Sequence, residues 1–219
     1  MYINAYLSLH TSSLCETIDQ MLPIIPVHTQ VPIVPFYSQF QDIKPLAWQK
    51  VGCGVTSLAM IIEYYKPNSV SVNTLLTQAI AGGAYNKNAG WVHKDLILLS
   101  NQYGLKGNSY DMASLSKDAA FIQFKKSLKD GPVMASVHYK FDPKNPIPHI
   151  VVIDGIDGDT IYYNDPALKS GTKEISTEKF LKAWKKKFIV IRPEISPESN
   201  AKKLAFATIP LRASTTVSY

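Results

Sequence analysis

Cys53 is the side chain of this sequence best placed to act as a nucleophile. It stands between Gly52 and Gly54, where a run of apolar residues at helical spacing begins. Unpaired backbone N–H groups and the helix dipole stabilise negative charge at a helix N-terminus, so a thiolate is favoured there. The flanking glycines would let a substrate backbone approach closely. The alternative is that Cys53 is a small buried hydrophobic residue, as many free cysteines are.

A thiolate nucleophile needs a base, and His149 is the preferred candidate. It opens the predicted strand at residues 149–155 and follows two prolines, which indicates the edge of a loop. His93 and His138 are competitors, because each also lies near the end of a predicted element. A histidine at the start of a strand is more often structural than catalytic, so its position alone does not decide among the three.

A base histidine also needs an Asn or Asp that orients its second ring nitrogen. Asn164 and Asp165 both qualify, because a hairpin turn predicted at residues 157–158 brings them to the same end of the sheet as His149. A two-residue loop would pair Val151 with Asn164 and put Asn164 beside the histidine. A three-residue loop would give that place to Asp165 instead. The residues leave both alternatives open, and a plain Asp-Pro turn is a third.

The elements that must position these side chains change type along the chain. Apolar spacing and helix-stop residues predict four helices, at residues 53–65, 72–81, 92–103 and 118–129. Stretches rich in Val, Ile and Tyr then predict strands at residues 133–139, 149–155, 160–164 and 188–192. A further helix is predicted at residues 176–186, between the last two strands. Helices first and strands later indicate an α+β fold with two segregated halves.

The composition limits the class of protein. With 219 residues, 46% of them hydrophobic, the chain suits one domain with a substantial core. The net charge of +6 comes from lysine runs without interleaved aromatics, which are typical of a solvated face and not of nucleic-acid binding. Two cysteines supply neither a disulfide framework nor a four-ligand zinc site. We expect no metal and no cofactor.

The two ends of the chain are predicted to lie outside this domain. Residues 1–32, which contain Cys15, are interpreted as an N-terminal extension or arm, residues 33–195 as the domain, and residues 196–219 as a loosely held tail. The start has neither the positive region nor the apolar stretch of a signal peptide, and the longest apolar runs are too short for a membrane span. We therefore expect a cytoplasmic protein without a membrane partner, unless the true start is missing.

Three short blocks occur in the same order as the motifs of a known family. The first comprises Val-Pro-Phe-Tyr-Ser-Gln at 34–39, Gly-Cys-Gly-Val-Thr-Ser-Leu-Ala-Met at 52–60 and Glu-Tyr-Tyr at 63–65. The second is Pro-His-Ile-Val-Val-Ile-Asp-Gly at 148–155, and the third is Tyr-Tyr-Asn-Asp-Pro-Ala at 162–167. Together they resemble the C39-like cysteine peptidases. The resemblance implies a papain-like fold, with an N-terminal helical half and a C-terminal antiparallel β half.

The resemblance also assigns roles to residues. It prefers Asp165 to Asn164 as the third member of a Cys-His-Asp triad. Papain-like enzymes hold the oxyanion with a glutamine upstream of the cysteine; Gln39 ends the matching Tyr-Ser-Gln block, and Gln49 is the alternative. The implied catalytic residues are Cys53, His149, Asp165 and Gln39, and the candidate substrate-binding residues are Gly52, Gly54 and Trp91.

The activity implied is hydrolysis of a peptide or amide bond through a thioacyl intermediate, on a peptide or protein substrate. Two alternatives remain. A related amidase or acyl transferase would share the Cys-then-His order, and a catalytically silent module would keep the cleft only to bind peptides. The acidity of the thiol separates a silent module from an enzyme, because an unactivated thiol titrates near about 8.5.

Overall fold

The computed structural model describes residues 31–194, which place helices on both faces of an antiparallel sheet. Residues 1–30 of the predicted N-terminal arm, which include Cys15, and the predicted tail at 196–219 lie outside the described residues. No helix between residues 31 and 194 combines the length and the apolar character needed to cross a bilayer.

The helices and strands alternate more than the sequence suggested. The helices are α1 (Leu46–Gln49), α2 (Cys53–Tyr65), α3 (Val72–Ala81), α4 (His93–Ser100), α5 (Lys117–Leu128) and α6 (Thr177–Ala183). The strands are β1 (Tyr85–Asn86), β2 (Gly90–Trp91), β3 (Leu105–Asp111), β4 (Val133–His138), β5 (Pro148–Asp157), β6 (Thr160–Asn164), β7 (Lys173–Ser176) and β8 (Trp184–Pro193). Strands β1 and β2 form a small hairpin, and the other six form one sheet in the order β3-β8-β4-β5-β6-β7.

The sheet is covered on both faces, which gives the described part of the chain two apolar cores. Helices α2, α3 and α4 pack against one face, and α5 and α6 pack against the other. Side chains alternate between the faces along a strand: Met134 and Val152 reach the first core, whereas Ala135 and Val151 reach the second. Because both faces are buried, β4 and β5 are almost uniformly apolar. The site described below lies at the ends of these central strands.

The α+β fold class is confirmed, and α2, α3 and β6 have the predicted bounds. The predicted helix at 92–103 is α4 followed by a 3₁₀ turn, Asn101–Tyr103, which ends at Gly104 with φ 68°. The predicted helix at 176–186 is wrong at its end. Helix α6 stops at Ala183, because Trp184 stacks on Phe180 and begins strand β8 within the aromatic core.

Strands β1, β2, β3 and β7 are absent from the sequence prediction. Strand β3 contains Lys106, Gly107, Asn108 and Ser109, residues that rarely favour strands. It forms because its backbone pairs along its whole length with β8, from Leu105–Pro193 to Asp111–Lys187. Since β3 precedes α5 and joins the sheet, the helical and strand halves are less segregated along the chain than predicted.

Candidate active site

Cys53 is the first residue of α2, and its side chain is 9% exposed. Packing against the sheet fixes the position of the helix. Val55, Leu58 and Ile62 are fully buried, and the Ser57 hydroxyl donates to the Ile150 carbonyl of β5 at 3.1 Å. The N-cap residue before Cys53 is a glycine, which offers no capping side chain. The backbone N–H groups of the first turn are therefore free to face negative charge at the thiol.

The two glycines beside Cys53 lie in close packing. A Cβ atom at position 54 would overlap the ring of Trp91, and one at position 52 would overlap Ile43. Trp91 is buried, and its indole N–H donates to the Val51 carbonyl. This packing fixes the backbone around Cys53 and explains why glycine is required there, whether or not a substrate also contacts these residues.

Gly54→Ala is expected to lower the free energy of unfolding by about 1–3 kcal/mol, because the added methyl group overpacks the Trp91 ring. Gly82→Ala is the matched control, since its Cβ would come no closer than 3.3 Å to the Gln78 carbonyl oxygen and its φ is −79°; its effect should stay within about 1 kcal/mol. Urea denaturation of both variants measures the difference. Equal destabilisation would contradict this account of Gly54.

His149 lies at the start of β5, is 4% exposed, and donates from Nε2 to Asp165 Oδ1 at 2.6 Å. The same carboxylate oxygen accepts the Ala167 backbone N–H at 2.8 Å, and the edge of Tyr139 meets the imidazole at 5.1 Å between ring centroids. Burial opposes the imidazolium, but hydrogen bonds to Asp165 and Cys53 outweigh it and raise the pKa of His149 to about 10. Because Nε2 is occupied by Asp165, Nδ1 is the nitrogen that faces Cys53.

The register that brings Asp165 to His149 arises from a bulge in β5. Asp157 pairs with Thr160, so the hairpin loop is the two residues 158–159 and not 157–158 as predicted. Asp154 is then an extra residue that has no partner in the ladder, and beyond it the register is shifted by one. The sequence alone required a three-residue loop to bring Asp165 beside His149. The structure reaches the same register with a two-residue loop and a bulge, and Val152 pairs with Asn164.

Asn164 belongs to a separate buried network. Its amide donates to Asp154 Oδ2 at 2.7 Å, and its carbonyl oxygen accepts the Thr172 backbone N–H at 2.8 Å. Asp154 is 2% exposed, and burial raises its pKa to about 7 although the hydrogen bond from Asn164 acts in the opposite direction. Asn164 therefore bonds to the bulge residue and to the loop after β6, and Asp165 is the residue that contacts the histidine.

The two candidate glutamines have different environments. Gln49 donates from Nε2 to the carbonyls of Phe40 and Ile43, at 3.2 and 2.8 Å, so its side chain closes the loop before α2. Gln39 is buried, lines the same cavity as Cys53, and donates from Nε2 to the Gln49 carbonyl at 2.7 Å. An amide nitrogen carries two hydrogens, so this bond leaves one N–H of Gln39 available.

The competing histidines make other contacts. His138 Nδ1 bonds to the Asn145 carbonyl at 2.8 Å and so supports the loop before β5. His93 lies between the hydroxyls of Ser109 and Ser136, at 3.1 and 3.0 Å, and it lines the cavity. Its pKa is lowered by burial and then by the nearby charge of Lys187.

Cys53 and His149 open onto a cavity of about 710 Å³, which Gln39 and Trp91 also line. Asp165 does not line it and lies behind the histidine. Four lysines line its walls, a feature that the sequence did not predict, and they are Lys50, Lys87, Lys185 and Lys187. Within residues 31–194, no group of three metal-binding side chains is close enough to hold an ion.

The fold and this pair of buried residues define a papain-like α+β protein. The model of the Peptidase_C39 like family matches residues 32–187, and the chain therefore belongs to that family of peptidases.

Two solved structures share the fold. A putative C39-like peptidase from Bacillus anthracis is 22% identical with a TM-score of 0.55, over 76% of this chain and 97% of that chain. A double glycine motif protease from an AMS/PCAT transporter, solved in complex with the leader peptide, is 22% identical with a TM-score of 0.52, over 74% of this chain and 94% of that chain. A search of curated protein sequences finds no significant match.

Proposed function

We propose that this chain hydrolyses peptide bonds with Cys53 as nucleophile, His149 as general base and acid, and Asp165 as the group that orients His149. One observation carries the proposal: a buried imidazole bonds to a carboxylate through Nε2 and faces, with its other nitrogen, a thiol at a helix N-terminus. That arrangement supports a thiolate–imidazolium pair, because both the helix terminus and the imidazolium stabilise the thiolate.

The reaction follows from this pair. His149 takes the Cys53 proton, and the thiolate forms a C–S bond to the carbonyl carbon of the scissile amide. His149 then protonates the departing amine as the C–N bond breaks, which leaves a thioacyl enzyme. Water, deprotonated by His149, attacks that thioester and releases the second product with the regenerated thiol.

The oxyanion that forms in both steps needs hydrogen-bond donors. We assign this role to the Cys53 backbone N–H and the second N–H of Gln39. The Nε2 bond from Gln39 to the Gln49 carbonyl supports the assignment, because it fixes the orientation of the amide before substrate binds. Gln49 itself is less suitable, since its amide nitrogen already donates to two loop carbonyls.

The cavity suits a peptide, which enters beside Trp91 and reaches the thiol of Cys53. The related transporter protease was solved with a leader peptide, which supports a peptide as the ligand of this fold. We assign Trp91 to the wall of the substrate cleft. Gly52 and Gly54 remain candidates for backbone contact with the substrate, in addition to their role in packing.

The pH dependence of alkylation at Cys53 tests the proposal. In the wild type, iodoacetamide should react quickly at pH 6, because the raised pKa of His149 favours an imidazolium that stabilises the thiolate beside it. In His149→Ala the imidazolium is gone, and an ordinary thiol with a pKa near about 8.5 is less than about 1% ionised at pH 6. We therefore expect the rate at pH 6 to fall by about 100-fold, measured by peptide mass spectrometry.

His138→Ala is the matched control, because it removes a histidine that bonds only to a loop carbonyl among the described residues. It should leave the rate at pH 6 unchanged. Cys15, alkylated in the same sample, serves as a second thiol for comparison. If Cys53 reacts slowly at pH 6 in the wild type as well, the chain is a peptide-binding module with a silent cysteine and the proposal fails.

A further inference from the structure

We infer that the cleft selects peptides that carry acidic side chains within a few residues of the scissile bond. Cleavage of these peptides rests on the proposed function, but the preference in binding follows from the charge of the cleft alone. Four lysines and two histidines line the cavity of Cys53, and neither Asp nor Glu is found among its lining residues in the described part of the chain.

The lysines come from both sides of the cleft. Lys50 precedes α2, and Lys87 lies in the turn between β1 and β2. Lys185 and Lys187 belong to β8 on the sheet side. Lys186 between them has φ 54° and donates to the carbonyls of the 113–115 loop, at 2.8 and 2.7 Å. This turn of the backbone separates Lys186 from its neighbours, which both line the cavity.

These charges are poorly neutralised by the protein. Lys187 pairs with Asp111 at 2.9 Å, on the exposed side of β3. Among residues 31–194, no carboxylate oxygen comes within 4 Å of the ammonium groups of Lys50, Lys87 or Lys185. Burial first, and then repulsion from Lys187, lowers the pKa values of both Lys185 and His93. A bound carboxylate would relieve this repulsion by forming charge-assisted hydrogen bonds with the lysine ammonium groups.

The remaining walls indicate a peptide as the source of that carboxylate. Phe40, Tyr85, Trp91, Tyr139 and Ile147 supply apolar and aromatic surface between the lysines. A peptide with alternating apolar and acidic side chains matches such a mixture, whereas a uniformly charged polyanion would leave the apolar walls unused.

Two alkylating agents that differ in charge measure the field at Cys53. Iodoacetate is an anion and iodoacetamide is neutral, and at pH 8.5 both react even with an unactivated thiol. The variant Lys87→Gln/Lys185→Gln should lower the ratio of the iodoacetate rate to the iodoacetamide rate by about five- to tenfold at low salt. The effect should shrink at 0.5 M salt, because screening shortens the range of each charge.

The matched control is Lys66→Gln/Lys126→Gln, which removes the same net charge. Lys66 follows the far end of the 13-residue helix α2, about 20 Å from Cys53, and Lys126 is an exposed residue of α5. The ratio should change less than about twofold in this control. Equal falls in both double variants would overturn the inference, because the overall charge and not the cleft would then govern the reaction.

A protection assay identifies the class of ligand. An octapeptide that alternates Glu with Leu should slow iodoacetamide alkylation of Cys53 at about tenfold lower concentration than the same peptide with Gln in place of Glu. The variant Lys87→Gln/Lys185→Gln should lose this difference. Stronger protection by an oligothymidylate of equal charge, or equal protection by the two peptides, would overturn the assignment to acidic peptides. Both assays detect binding and charge without turnover, so they remain informative if Cys53 proves not to be catalytic.

Discussion

Cys53→Ala is expected to abolish peptide hydrolysis, with a loss on the order of 10⁴-fold or more. The thioacyl intermediate cannot form without the sulfur, and the remaining groups contribute only binding and oxyanion stabilisation. A peptide library of defined sequences, digested with the wild type and the variant and read by mass spectrometry, measures the rate of appearance of new termini. The variant has no thiol at position 53 to alkylate, so this experiment tests hydrolysis and not the charge of the cleft.

The fold should survive this substitution, which makes the result interpretable. Alanine retains the Cβ atom and removes only a sulfur that lines the cavity, so thermal unfolding should shift by no more than a few degrees. Ser100→Ala is a matched control for loss of a small buried polar group, because Ser100 bonds to a carbonyl of its own helix and does not line the cavity of Cys53. Hydrolysis by Cys53→Ala at the wild-type rate would refute the role of Cys53.

Asp165→Asn and Asp165→Ala are expected to have different effects. Asn keeps an oxygen that accepts the Nε2 hydrogen of His149, so hydrolysis at pH 6 should stay within about tenfold of the wild type. Ala removes the acceptor, leaves a buried N–H unsatisfied and frees the ring to rotate, so the rate should fall by about 100-fold or more.

The pH dependence of the hydrolysis rate shows how the negative charge of Asp165 acts on His149. The Asp165 carboxylate is one of the groups that raise the pKa of His149 to about 10. Without it the imidazolium is lost at lower pH, and the general acid is lost with it. The alkaline limb of the rate profile of Asp165→Asn should therefore move down by about 1–3 pH units.

Asn164→Ala is the control for Asp165. It breaks the bonds to Asp154 and Thr172, so it should lower stability. It should leave the alkaline limb in place, because Asn164 makes no bond to His149. An unchanged alkaline limb in Asp165→Asn, or an equal shift in both variants, would contradict the assignment of Asp165 as the group that charges His149.

Short-range patterns were sufficient to predict the helix that carries Cys53. Helix α2 begins at Cys53 and ends at Tyr65 as predicted, because its apolar spacing and the following Lys-Pro are local signals. The strand predicted at residues 188–192 is shorter than strand β8 for the opposite reason. A run of three lysines after Trp184 has no apolar alternation, and only the aromatic core around Trp184 and Phe188 determines that it continues the sheet.

The lysines of the cleft illustrate the same division. Their charges are plain in the sequence, and the expectation of a solvated face is reasonable for an isolated run. Lys185 and Lys187 line the cavity because β8 lies beside β4 in the sheet, and Lys50 and Lys87 reach the same cavity from the opposite half of the chain. Convergence of residues so far apart along the chain depends on the packing of the two halves, which no local pattern encodes.

The sequence alone specified the candidate catalytic residues, the helix that carries Cys53, the strand that carries His149 and the α+β class. The local pattern of residues left the partner of His149 open between Asn164 and Asp165, and only the family resemblance preferred Asp165. The tertiary structure places Asp165 against the imidazole through the extra residue Asp154. At that bulge a buried hydrogen bond joins Asp154 to Asn164, two residues on neighbouring strands. A register with such a bulge becomes visible only when the strands are paired, because the pairing joins residues that are distant along the chain.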